Sequence, residues 1–159
     1  MESAQTPAPD AALAGVDEGL VAALDELVGA AVGVTTIALA QTVLGQDPTL
    51  PQWRALVVIS SADGLRVSDV ASRIGMSRPS MTRLVQRLQR RGVIVAEPDP
   101  SDGRAMILRA TPAGMAMRVA TMSGRRRLII NALGTRPEAL SPDLAHGLRS
   151  IAKALERYR

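Results

Sequence analysis

Val67, Val70, Ala71 and Ile74 fall at i, i+3, i+4 and i+7, and so do Met81, Leu84, Val85 and Leu88. Each set is the apolar stripe of a short amphipathic helix. Gly75 lies between them, where a left-handed residue can end the first helix. Two short helices joined by a glycine-containing turn form a helix-turn-helix. A β-branched run, Val93-Ile94-Val95-Ala96, follows at once and predicts a strand. The dense turn cluster Pro98 to Gly103 and the run Met106-Ile107-Leu108 predict a long hairpin tip and a returning strand. A helix-turn-helix with a hairpin directly behind it is a winged helix. The expected fold is therefore mainly α with a small β-hairpin wing.

The flanks are helical. Asp17 to about Gly45 predicts one long helix, and Leu27 to Gln46 carries no charge. That run approaches the length that crosses a bilayer. Yet Thr35, Thr36, Gln41 and Thr42 interrupt it, and neither end has a basic flank. A helix buried in protein, or forming a dimer, is the better expectation than a membrane span. Gly29 and Gly33 would let a second helix approach closely. Asp47-Pro48-Thr49-Leu50-Pro51 breaks this helix, with Pro51 suited to a first helical turn. Trp53, Leu56, Val57 and Ser60 follow at helical spacing, and Ala62-Asp63-Gly64 ends the second helix. Thr111 offers an N-cap and Pro112 a first helical position for a helix to about Leu133, which Gly134 stops. Ser141-Pro142 opens a last helix. Its Leu140, Leu144, Leu148, Ile151 and Leu155 form a stripe that faces a partner. The first fifteen residues, MESAQTPAPDAALAG, have no basic region followed by an apolar run and predict a flexible tail, not a signal peptide.

Charge narrows the function. Ser77 to Gly92 holds five arginines and no acid. Residues 1–65 carry eight acids against one Arg, a net −7, whereas residues 66–159 carry eighteen bases against seven acids, a net +11. A basic excess confined to the second part points to a polyanion. On a helical wheel Pro79, Thr82, Arg83, Gln86, Gln89 and Arg90 lie opposite the apolar stripe, with Arg78 and Arg87 flanking. Arg suits guanine or phosphate, Gln suits adenine, and Thr suits the thymine methyl group. A merely solvated helix would usually interleave Glu and Asp. Arg104, two residues after Asp102, is either delivered to a minor groove with the carboxylate holding it, or paired with that carboxylate in a local turn salt bridge without a ligand. Single-stranded nucleic acid is a poor fit, because Trp53 and Tyr158 are the only aromatics. There is no Cys and only His146, which excludes thiolate and His-rich metal sites. Asp99 to Gly103 lacks the ligand alternation of a calcium loop. No nucleophile–base pair, phosphate loop or carboxylate pair suggests an enzyme. Arg125-Arg126-Arg127 reads as solvated surface. The rival reading is a winged helix that binds protein or membrane, whose DNA binding would be weak and insensitive to salt.

Asp102-Gly103-Arg104, with Thr111-Pro112-Ala113-Gly114 behind it, resembles the wing and following helix start of the MarR family of bacterial transcription regulators. Val70 to Ile74 and Ser80 to Leu88 resemble that family's two DNA-reading helices. The likeness spans roughly Leu50 to Gly114. It implies a cytoplasmic homodimer without cofactor, binding a pseudo-palindromic operator in double-stranded DNA. The implied plan is a tail (1–16), an N-terminal dimerisation helix (17–49), a winged helix-turn-helix lobe (50–111) and C-terminal dimerisation helices (112–159). DNA contacts would fall on Arg78, Pro79, Ser80, Thr82, Arg83, Gln86, Arg87, Arg90, Asp102 and Arg104. A small aromatic or phenolic effector that releases DNA is also implied, as is repression more often than activation. Three positions depart from the pattern. Ala96 and Glu97 replace basic residues, Ala110 replaces a Leu, and Arg66 replaces a capping Ser or Thr, so that the cap is weak or Ser68 takes the role.

Overall fold

The structure, a computed structural model, describes residues 17–42, 48–134 and 141–155. Helix α1 spans Glu18–Thr42 and α2 spans Leu50–Ile59. Strand β1, Leu65–Arg66, leads into α3, Val67–Ile74, and then α4, Arg78–Arg90. Strands β2, Ile94–Asp99, and β3, Asp102–Ala110, make the hairpin, and α5, Pro112–Gly134, and α6, Pro142–Leu155, complete the order. The tail, Gly45, Asp47 and Leu140 lie outside the described residues.

The two apolar stripes do what their spacing predicts. Val70, Ala71 and Ile74 of α3 and Met81, Leu84, Val85 and Leu88 of α4 are buried together with Leu56, Ile59, Ile94 and Leu108. This aliphatic core fixes the presentation of α4, since a Leu→Ala change there costs about 2–5 kcal/mol. Gly75 ends α3 in the left-handed region at φ 69°. The Met76 amide then reaches back to the Ala71 carbonyl at 2.9 Å, closing the turn. Gly92, at φ 66°, performs the same service after α4.

The sheet has three strands in the order β1-β3-β2, all antiparallel. One expectation is corrected here, and one strand is added. The hairpin tip is short: Asp99 pairs with Asp102, leaving only Pro100 and Ser101 between the strands. The Asp99 carboxylate accepts the Ser101 amide at 2.8 Å and its hydroxyl at 2.7 Å, which closes the tip locally. Strand β1 has no sequence signal. Its two residues pair with Leu108 and Ile107 because the chain must enter α3 alongside β3.

Thr111 caps α5 as expected. Its hydroxyl accepts the Gly114 amide at 3.1 Å and donates to the Gly92 carbonyl at 2.6 Å. Arg118 ties α5 to the end of α2 through the Ser60 carbonyl, at 2.8 Å. Helix α1 runs along α5, with Ala38 facing Gly124. The long helices are far from buried within one chain. Only Ala38 and Leu39 of α1 are buried, and no residue of α6 is. Leu20, Leu27, Val28 and Ile37 on α1 and Val119 and Ile130 on α5 stand in the open. Gly29 and Gly33 likewise face open space.

Candidate nucleic-acid interface

Helix α4 enters from Ser77 with Pro79 in its first turn, and its Arg87 and Arg90 sit in the last turn, where cations favour the helix dipole. The core stripe turns its other side outward. Arg78, Pro79, Thr82, Arg83, Gln86, Arg87 and Arg90 are exposed, and Ser80 is half-buried.

These residues divide into two sets. Arg78, Thr82, Gln86 and Gln89 line a cleft of about 610 Å³ between α4 and the wing, with Arg104 and Asp102 across from them. Ser80, Arg83 and Arg87 line a smaller recess of about 260 Å³ toward the start of α2. Arg90 and Pro79 line neither. Some polar groups are already engaged. The Thr82 hydroxyl donates to the Arg78 carbonyl at 3.0 Å. Ser80 accepts from the Ser77 hydroxyl at 3.1 Å.

The expected hold of Asp102 on the Arg104 side chain is not what forms. Asp102 Oδ1 accepts the Arg104 backbone amide at 3.1 Å. The carboxylate thus shapes the strand, and the guanidinium has no protein partner among the described residues. Ser68 also does not cap α3: its hydroxyl donates to the neighbouring Asp69 carboxylate at 3.3 Å, and the N-cap position, Arg66, provides no side-chain cap. Glu97, the departure from a basic wing, lies 3.5 Å from Arg109, which also pairs with Asp63. This acid is therefore matched by a cation inside the wing's own base.

Sequence reasoning missed Arg66 and Asp99. Arg66 places both Nε and Nη2 at 2.7 Å from Asp99 Oδ2. Asp99 is 6% exposed, one of the few buried polar residues described. Its carboxyl is held below the usual carboxylate range, first by the Ser101 amide, then by the Ser101 hydroxyl and Arg66, against burial, which pushes it up. A lowered folded-state value means that the ionised carboxyl stabilises the fold above the ordinary carboxylate range. That stabilisation is lost as the pH falls through the lowered value. A variant that removes the Asp99 charge alone isolates this contribution. The melting gap between wild type and Asp99→Asn should be full at about pH 6 and shrink below about pH 4. A gap that stays constant to about pH 3 would remove the charged carboxylate from the account.

A core-packed helix with an acid-free basic face, flanked by a hairpin that carries an unpaired arginine, defines a winged helix-turn-helix protein of the DNA-binding class. Residues 46–105 match the MarR family. The HTH-type transcriptional regulator YfiV of Bacillus subtilis is 28% identical over 118 residues, covering 71% of each chain. RV1404 from Mycobacterium tuberculosis shares the fold at a TM-score of 0.69 and 24% identity, over 89% of this chain and 95% of its own. PcaV from Streptomyces coelicolor, solved in complex with its natural ligand, has a TM-score of 0.57 and 24% identity over 90% and 93% of the two chains. The part of the chain that carries the helix-turn-helix and the start of the wing is thus similar to MarR-family transcription regulators, which supports a DNA-binding regulator.

Proposed function

We propose that the chain is a homodimeric, sequence-specific reader of double-stranded DNA that represses transcription and lets go when a small ligand binds. The observation that carries this reading is the exposed face of α4, which offers Arg78, Arg83, Gln86, Arg87 and Arg90 with no carboxylate among them. In this reading α4 lies in the major groove. Arg83 and Gln86 read base edges, while Arg78, Arg87 and Arg90 meet phosphates. Pro79, Ser80 and Thr82 make the close contacts near the helix start. The Arg104 guanidinium enters the adjacent minor groove, with Asp102 shaping the strand that carries it.

Residues 50–111 form the DNA-binding lobe in this plan, and residues 17–49 and 112–159 supply the dimer contacts. The exposed apolar residues of α1, α5 and α6 support it, since a helix with that much uncovered apolar surface calls for a partner. A two-fold dimer places two recognition helices one turn of DNA apart, which matches a pseudo-palindromic operator. A dimer seated there blocks other proteins from the same stretch, hence repression. In a bacterium such a protein works in the cytoplasm, where the DNA is.

A cleft of about 1040 Å³ between α1, α2 and α5 suits the ligand. Val28, Trp53, Val57 and Met122 give it an apolar wall, and Arg54, Arg73, Arg118 and Arg125 line it with no acid. A small aromatic acid or phenolate fits both features. Arg125 therefore faces this cleft, whereas Arg126 and Arg127 are solvated as expected.

Sedimentation of the protein alone and with a duplex enriched from a random pool tests the assembly. The expected species are a dimer and a complex of two chains per duplex. A monomer that binds as one chain per duplex would contradict it.

A further inference from the structure

We propose that Arg66 and Asp99 form a latch that positions the wing, and through it Arg104, for DNA. The inference rests on the DNA-reading proposal above but assigns residues outside its contact set.

Arg66 stands at the N-cap of α3, where a short polar residue would ordinarily bind the free amides of the first turn. It makes no such bond. Its guanidinium instead reaches across the sheet to residues thirty-three and thirty-five positions later. Nε and Nη2 both meet Asp99 Oδ2, and Nη2 also lies 3.2 Å from the Ser101 hydroxyl. The other oxygen of Asp99 closes the tip on Ser101. One carboxylate thus joins the entry to the helix-turn-helix with the far end of the hairpin.

The latch is needed where it sits. The pairing of β2 with β3 is irregular between Pro98 and Asp99, a place where a hairpin bends. Beyond it, Asp99 pairs with Asp102, and Asp102 holds the Arg104 amide. The line of contacts therefore runs from Arg66 to Asp99, across the tip to Asp102, and on to Arg104. Arg66 lines the cleft beside Arg78, Thr82 and Gln86, so the same contacts set the wing's angle to the recognition helix. Because Asp99 neutralises Arg66, the latch acts by position and not as one more phosphate contact.

Two variants separate these roles, because their expected effects differ in sign. Asp99→Asn removes a negative charge and frees Arg66, so simple attraction to DNA predicts tighter binding. The latch predicts weaker binding to a duplex enriched by the wild type, by about five- to tenfold, the scale of one lost groove contact. Binding to random duplex should not fall. Arg66→Ser restores a capping side chain to α3 and keeps the fold, yet should weaken specific binding by a similar factor. The double variant should lose no more than either single one, because both break the same unit. The slope of log affinity against log salt should stay unchanged for Arg66→Ser once the charge is already neutralised.

Hydrogen exchange on the free protein gives an independent readout. In Arg66→Ser the amides of Ser101 and Arg104 should exchange faster, while those of α4 stay as they are. Unchanged exchange at the tip would overturn the latch. So would an Asp99→Asn protein that binds the enriched duplex as tightly as wild type or tighter. If the wild type enriches no duplex at all, the DNA reading fails, and the exchange data still decide the latch.

Discussion

Gly114→Ala should lose about 3 kcal/mol of stability, the upper range for overpacking a closed site. A Cβ at this position would collide with the Val93 carbonyl oxygen and lie 3.2 Å from a Leu56 methyl group. The first neighbour is backbone and cannot swing aside. It is also engaged, because the Val93 carbonyl accepts the Thr111 amide at 3.1 Å. Any shift that makes room must therefore part α5 from the start of β2 or break the junction that Thr111 closes over Gly92. For a chain of this length the melting temperature should fall by roughly 10 °C. Ala113→Ser is the matching control, since Ala113 is exposed one residue away. A Gly114→Ala protein that melts within about 2 °C of wild type would show that the helix start has more room than the backbone gives it.

Arg83→Ala should cost about 1–3 kcal/mol on an enriched duplex, a loss of roughly five- to 150-fold, and much less on random DNA. Arg83 is exposed on α4 and makes no ion pair with a carboxylate among the described residues. Its one side-chain hydrogen bond among the described residues is a long 3.5 Å reach from Nε to the Pro79 carbonyl, one turn earlier on its own helix. Removal therefore leaves no buried partner stranded, and the fold should melt as before. The discriminating quantity is the ratio of the two losses. An equal loss on both duplexes would make Arg83 a phosphate contact and lower the salt slope by about 0.9.

The DNA-binding lobe was legible because its signals are local. Two i, i+3, i+4, i+7 stripes around Gly75 specify both helices and the buried face of each. The same stripes orient the arginines without further information. The Thr111 cap followed from one hydroxyl at the right offset. What escaped was non-local. Strand β1 is two residues long and exists only because β3 lies beside it. The Asp99 carboxylate converts a run of turn-forming residues into strand ends, so composition overstated the tip. Arg66 looked like a defective cap because its partner lies thirty-three residues away. The signal that could have found it was the mismatch itself: a long cation at a capping position, with a surplus carboxylate in the turn cluster.

The long helices illustrate a different limit. The charge-free run in α1 predicts a buried or dimer-forming helix, and within one chain most of α1 is exposed. Its periodicity is weak because apolar residues occur on several faces. A helix of that kind states that it needs cover but not from where. Helices α5 and α6 also expose apolar residues, and the proposed dimer accounts for all three.

Fluorescence anisotropy against duplex from the gene's own upstream region, beside duplexes enriched from a random pool and scrambled duplex, tests the central claim most directly. The account predicts binding to an upstream or enriched sequence about 10³-fold tighter than to scrambled DNA. It also predicts a steep weakening between two salt concentrations, near −0.9 in slope for each phosphate neutralised. Equal, weak and salt-insensitive binding to every duplex would contradict it and would make the winged helix a docking module for another protein.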